Sequence, residues 1–254
     1  MYDKTSDDRL YFSRRTAAES ESPYAPPAEV VEEPSVTLET VKQDAEVKAL
    51  ITGARHMMEA LRYTDHSERH TSLIAERAGY VLSALSFSKR EVEIAKIAGY
   101  LHDIGNAISR PGHELIGAQL AYELLVRLGC DYADAILVAT AIANHEEGVG
   151  QPVNAIAAAV ILSDKSDVHR SRVNNLDGLD NFDIHDRVNY AVTHSELTID
   201  TEAKTCHLRL TVDTAISTVS DYFEIFLSRM LMCRHAALFL GLTFNLIVND
   251  VAMM

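Results

Sequence analysis

Six residues with metal-binding side chains follow one another along a single stretch of this chain: His70, His102 with Asp103, His113, His145 and Asp164. The middle pair lies in Tyr100-Leu101-His102-Asp103-Ile104-Gly105-Asn106. Imidazole and carboxylate donors together suit Fe, Mn, Zn or Co, and the two oxygens of one carboxylate can face two cations. Adjacent His and Asp can therefore serve both ions, with Asp103 as the natural bridge, and the ordered set implies a two-metal hydrolytic site. A single histidine on a helix is an ordinary polar residue, so the implication rests on the joint pattern.

Other residues flank this set. His66 lies one turn before His70 and shares its helix face, where it can hydrogen-bond a substrate, support a ligand, or be a surface histidine near a helix start. Just after Asp164, the run Lys165-Ser166-Asp167-Val168-His169-Arg170-Ser171-Arg172 places Lys165 and Arg170 where they can clamp phosphate. The plainer reading of those cations is a solvated helix end with favourable dipole interactions. Glu146 and Glu147, beside His145, can orient it or serve as acid or base, and the plainer reading of both is surface charge.

The elements that must position these side chains are helical. From Thr37, Val41, Ala45, Leu50, Ile51, Met57 and Leu61 recur at three-to-four spacing. Asp65-x-x-Glu68 reads as a capping box opening the helix of His66 and His70, and Ser88-x-x-Glu91 as one opening the helix that delivers His102-Asp103 before Gly105 breaks it. Pro111-Gly112 introduces the helix of His113, and Asp131 caps another that ends at His145. Residues 155–162 are apolar on all faces and run into Ser163-Asp164, so a carboxylate ends a buried helix. That arrangement is costly unless something positive meets it, and a metal ion is the obvious candidate.

Three regions are expected: an acidic, disordered tail over 1–36, a helical domain over 37–173, and a small ββαβ module over 174–254 that packs on the helices or builds a homodimer. In that module Val188-Tyr190-Val192 and Leu197-Ile199 read as one strand, Leu208-Leu210-Val212 as its partner, about Thr214 to Leu240 as a helix, and Phe244-Leu246-Val248 as a last strand. The fold class is thus mainly α with a small α+β appendix. The formal net charge of -14, from Lys+Arg 23 against Asp+Glu 37, argues against a nucleic-acid duplex as partner, because such affinity rests on neutralising phosphates. A small phosphorylated substrate stays compatible, since local cations can overrule the global field. Cys130, Cys206 and Cys233 are far apart and in no CxxC spacing, so they read as reduced core residues. With no signal peptide and no apolar run of membrane-spanning length, the chain is expected to be cytoplasmic.

The ligand order from His66 to Arg172 resembles the HD-domain superfamily of metal-dependent phosphohydrolases: a His on one helix, a His-Asp doublet, further histidines and a distal Asp. By that resemblance His70, His102, Asp103 and Asp164 hold one divalent ion, and Asp103, His113 and His145 hold a second. Water between the ions is then the nucleophile, His102 and Asp103 are at the catalytic centre, and the substrate is a phosphoester or phosphoanhydride of a nucleotide-like molecule. The chain departs from the HD-GYP group at Asn106, at Asn144-His145 and at Gly150-Gln151-Pro152, which argues against cyclic-dinucleotide cleavage. The short gap to His113-x-x-x-Gly117-Ala118 is more similar to the HD-type diadenosine tetraphosphate hydrolases. The resemblance leaves two other classes open: HD-fold di-iron oxygenases, and metal-retaining proteins that sense a nucleotide.

Overall fold

A computed structural model describes residues 36–174 and 182–253. The expected tail, apart from Val36, and most of the loop expected after Asn174 lie outside the described residues. Nine α-helices and four strands are present among those described. The first seven helices are α1 (Leu38–Gln43), α2 (Ala45–Ala60), α3 (Glu68–Ala84), α4 (Lys89–Leu101), α5 (His113–Arg127), α6 (Tyr132–Ala143) and α7 (Ala155–Lys165). A 3-10 turn, Ile104–Ala107, joins α4 to the loop before α5.

Local chemistry sets most of these boundaries. The Asp44 side chain accepts from the N–H groups of Glu46 and Val47, so the expected single N-terminal helix is split into α1 and α2. The Ser88-Glu91 capping box is formed as expected. The cap of α3 is Ser67, not Asp65, whose carboxylate instead accepts from Ser67 N and pairs with Arg69. Both residues are good caps, and the Asp65 backbone N–H is already committed to Arg172 O at 2.7 Å, which starts the helix two residues later.

The helical core lies where α3, α4, α6 and α7 meet, with Ile74, Leu82, Ile94, Ile97, Leu101, Ile142 and Ile161 fully buried. Each such side chain contributes about 1.5–3 kcal/mol relative to an exposed one. α7 is buried on every face from Ile156 to Lys165, as its apolar run requires. Two glycines permit the approaches that gather the site. A Cβ on Gly99 would meet the Ile74 carbonyl at 3.0 Å, so α4 lies directly on α3. A Cβ on Gly105 would meet His113 O at 2.0 Å and Gly117 N at 2.6 Å, so the turn after His102-Asp103 can touch α5 only without a side chain there.

Beyond α7 come a 3-10 turn (Arg170–Arg172), α8 (Ile184–Ala191), β1 (Val192–Asp200), β2 (Thr205–Val212), α9 (Val219–Phe239), β3 (Thr243–Val248) and the short β4 (Val251–Ala252). The sheet has the order β1-β2-β3-β4, with β1 and β2 antiparallel and β3 parallel to β2 across the α9 crossover. Cys206, Leu208, Leu210 and Val212 alternate inward along β2. The residues Val188 to Tyr190 are helical, contrary to the expected strand. Asp183 caps α8 by accepting from Asp186 N, and Val188, Asn189 and Ala191 are buried, so packing and a cap select the helix over the short alternating pattern. α9 begins at Val219, later than expected, because the Thr218-Asp221 capping box stops it from extending back to Thr214. The described residues form one compact unit, in which α9 packs against α7 and β3. Cys130, Cys206 and Cys233 are free and buried.

Candidate metal centre

All six residues of the ordered set converge. His70 comes from α3, His102 and Asp103 from the end of α4, His113 from the first turn of α5, His145 from just past α6, and Asp164 from the last turn of α7. None is more than 8% exposed. Their rings form a T-shaped series: His70 to His102 at 5.1 Å between centroids, His102 to His145 at 5.0 Å, and His145 to His113 at 5.1 Å.

Tautomers follow from the partners. Carbonyl oxygens only accept, so Nδ1–H of His102 donates to Gly99 O at 2.8 Å, that of His145 to Ile142 O at 2.6 Å, and that of His113 to Arg110 O at 3.1 Å. Nδ1–H of His70 donates to Asp167 Oδ2 at 2.7 Å. Each Nε2 is left with its lone pair directed inward. His70 Nε2 lies 3.3 Å from His102 Nε2, and His113 Nε2 lies 3.2 Å from His145 Nε2. Acceptors facing acceptors inside a protein call for a cation between them, and imidazoles oriented by a hydrogen bond at the other nitrogen are the usual metal-binding form.

Asp103 stands between the two pairs. Its Oδ2 is 3.1 Å from His102 Nε2 and 3.8 Å from His70 Nε2, while its Oδ1 is 3.5 Å from His113 Nε2 and 3.8 Å from His145 Nε2. Asn106 Nδ2 donates to Oδ1 at 2.9 Å and locks that rotamer. Asp164 Oδ1 faces His70 Nε2 at 3.5 Å and His102 Nε2 at 3.7 Å. Three triads have donor atoms within 4.8 Å of one another: His70, His102 and Asp164; His102, Asp103 and His145; and His113, His145 and Glu146. The donor set fits divalent metal ions.

Burial opposes protonation of His102, but the Asp103 and Asp164 carboxylates outweigh it and raise its pKa. Burial opposes charge on Asp103, but His102, with hydrogen bonds from His102 and His145, outweighs it and holds the carboxyl well below its usual range. Asp164 is held well below as well, burial being outweighed by Lys165, His70 and His102. Burial, opposed by Asp103, pulls His66 down to about 3 and His113 down to about 4, so both are neutral imidazoles.

The flanking residues divide. His66 Nδ1–H donates to Thr64 O at 2.5 Å and its Nε2 lies 3.7 Å from Asp103 Oδ2, beside the centre. Lys165 is buried and committed, with Nζ 2.8 Å from Asp164 Oδ2, 3.6 Å from Glu146 and 3.8 Å from Glu147. Arg170 turns elsewhere, its guanidinium stacking 5.2 Å above the Tyr190 ring. The arginine that reaches the centre is Arg172, which donates to Asp167 Oδ2 at 3.0 Å and lies against the His70 ring. The His169 side chain accepts from Ser171 N and winds the 3-10 turn, which sends the two arginines in different directions.

Sequence reasoning passed over Arg110 and gave Asp167 no role, and for Glu146 it favoured surface charge over orienting His145 or acting as acid or base. Arg110 Nη1 is 3.0 Å from His113 Nε2, and its Nη2 donates to Glu146 Oε1 at 2.9 Å. Glu146, read as surface charge, is instead a half-buried neighbour of His113, with Oε2 at 3.9 Å. Burial opposes its charge, but Lys165 and Arg110 keep its pKa lowered. Asp167 carried a signal, standing three residues after Asp164 where the helix ends, and so did Glu146, standing next to His145. A cavity of about 480 Å3 opens against the centre at His66, Arg110 and Glu146.

Residues 63–170 match the family model of the HD domain. Ribonuclease Y of Bacillus pumilus (strain SAFR-032) is 34% identical over 102 residues, and ribonuclease Y of Lawsonia intracellularis (strain PHE/MN1-00) is 32% identical over 105 residues. Ribonuclease Y of Bacillus subtilis (strain 168) is 34% identical over 102 residues. Each match covers 40% of this chain and 18% of the relative, so the chain spans under a fifth of the length of these proteins. The HD domain is that of a superfamily of metal-dependent phosphohydrolases, whose domains bind divalent metals. The inward-facing histidines and aspartates are carried on the helices that match the HD domain, so residues 63–170 are consistent with membership of the HD-domain superfamily.

Proposed function

We propose that this protein hydrolyses a phosphoester or phosphoanhydride bond of a nucleotide-like small molecule, using two divalent ions. His70, His102, Asp103 and Asp164 hold one, and Asp103, His113 and His145 hold the other. The observation that carries this reading is Asp103, whose two oxygens face different histidine pairs, as a bridging carboxylate must. When bound, the ions supply an activated water and neutralise charge on the phosphoryl oxygens.

The chain's own groups complete the chemistry. Arg110 is the cation nearest the cavity side of the centre, where a guanidinium stabilises phosphoryl oxygens through paired N–H donors. Glu146, ionised and beside His113, orients Arg110 and can accept a proton from an incoming water. His66 is neutral and presents Nε2 as an acceptor to the same space. Asp167, backed by Arg172, holds the His70 ring so that Nε2 faces inward.

The test is metal analysis of freshly purified protein, coupled to phosphate release from nucleotides, dinucleoside polyphosphates and cyclic dinucleotides with Mn, Fe, Co or Zn. Short 5′-phosphorylated RNA joins the panel because the relatives are named ribonucleases, although the net charge of -14 disfavours long RNA. Two ions per chain, with release lost in Asp103→Ala, support the proposal. Two irons with oxygen uptake and no hydrolysis would replace it by oxygenase chemistry, and metal-dependent nucleotide binding without turnover by a sensor.

A further inference from the structure

The cavity at the metal centre has two unlike halves. Tyr63, His66, Arg110 and Glu146 come from the HD segment and its edge, whereas Asp183, His185 and Asn189 of the α8 region and Phe226 and Arg229 of α9 come from beyond residue 170. The second half is fastened to the rim of the centre. Arg229 Nε donates to Glu147 Oε1 at 2.7 Å, Ser228 Oγ donates to Glu147 Oε2 at 2.7 Å, and Lys165 links Glu147 and Glu146 to the metal-facing Asp164. Arg229 also stacks 4.8 Å from the Phe226 ring, which holds its side chain in place. A wall tied to the centre by ion pairs keeps its distance from the reacting atoms.

The chemistry changes across the cavity. Nearest the centre is Arg110, suited to a phosphate. Next comes Tyr63, 47% exposed as a residue, with Arg110 over its ring at 5.7 Å. The rest of the lining offers hydrogen-bonding groups of both signs, Asp183, His185 and Asn189 from the α8 region and Arg62 from the segment before α3. Such a rim matches the hydroxyl and amino groups of a neutral moiety better than a row of phosphates. A volume of about 480 Å3 lies in the range of small-molecule sites and takes one nucleotide unit.

We propose that α8 and α9, outside the HD segment, are the specificity wall of this site, and that the wall receives the nucleoside of a single nucleoside phosphate. The phosphate lies by Arg110 at the metal centre, the base lies on Tyr63, and the sugar and base edges face Asp183 and His185. The orientation rests on the phosphohydrolase reading, whereas the wall itself can be tested by binding alone.

The experiment is calorimetric titration of the Mn-loaded full chain with AMP, GMP, CMP, UMP, ribose 5-phosphate and inorganic phosphate. At least one nucleoside monophosphate is expected to bind about tenfold or more tighter than ribose 5-phosphate and inorganic phosphate, the scale of one base-stacking contact. Tyr63→Ala and Asp183→Asn, the latter retaining a capping side chain on α8, are expected to bring that ratio towards one with metal content unchanged. Equal affinities for all six compounds, binding of none, or a ratio that survives both substitutions would overturn the wall. A nucleoside preference in a protein that hydrolyses nothing leaves the wall standing and sinks the hydrolase reading. Hydrolysis indifferent to the nucleoside and to both substitutions does the reverse.

Discussion

The two sides of the metal centre use the same side-chain types and are built differently. On one side, His70 is backed by a second layer that is itself enclosed: Asp167 accepts from the His70 ring, Arg172 donates to Asp167, and both are under 4% exposed. Arg69 approaches the same Asp167 oxygen at 3.7 Å and is held by Asp65. On the other side, His113 and His145 are oriented by backbone carbonyls, and their neighbours Arg110 and Glu146 keep about a quarter of their side-chain surface at the cavity. A buried ionic layer fixes a ligand, because leaving any member unpaired in low dielectric is costly. Partly exposed charges can exchange partners with an incoming anion at lower cost. On the proposed reading, one side serves retention of metal and the other serves contact with substrate.

That contrast can be broken experimentally. Asp103→Ala has the largest expected effect, loss of metal from both sides and of hydrolysis to background, because its oxygens face both histidine pairs. Metal analysis checks it, and two ions retained in this variant would remove the bridging role. Asp167→Ala is expected to weaken metal binding about 10–100-fold, the usual effect of removing the partner that orients a ligand histidine. Titration with a competing chelator should place that loss on the His70 side alone; equal loss at both ions would erase the distinction.

Gly105→Ala is expected to act on the other side. The added methyl meets backbone atoms of His113 and Gly117, so α5 must shift, at a cost of about 1–3 kcal/mol. Thermal unfolding measures the cost, and metal stoichiometry should show the His113 and His145 ion weakened before its neighbour. The smallest effect belongs to Asp65→Asn. Burial alone would raise the Asp65 pKa, but bonds from Ser67 and Arg69 outweigh it and hold it below 3.8. A carboxylate with a lowered folded pKa contributes stability that is present above 3.8 and is lost as pH falls through the folded value. With Arg69 39% exposed on its side chain, solvent screening limits the contribution to about 1 kcal/mol or less. The variant should be slightly less stable than the parent at pH 7 and indistinguishable from it near the acid end of a denaturation series.

The candidate site was legible to the extent that its residues obey local rules. The helix periodicity, the Ser88 box and Gly105 place His102-Asp103 at the end of α4, and the apolar run of α7 ends on Asp164, so the order of the six candidate ligands is readable from the sequence. The misreadings fall where two local signals compete. Asp65 and Ser67 are both good caps, Val188 to Tyr190 fits either a strand or a helix face, and Arg170 and Arg172 sit two apart in a turn whose winding decides which reaches His70.

By itself, then, the sequence determined the candidate donor set, the helices that carry it and the departures from related motifs, because these depend on residue type and on spacing within one element. Tertiary structure alone decided which Asp103 oxygen faces which histidines, that Arg110, Glu146 and Asp167 support the centre, and that α8 and α9 close a cavity over it. Those contacts join residues far apart in the chain, such as His70 with Asp167 and Glu147 with Arg229, and short-range periodicity carries no information about which distant charges burial will force to pair.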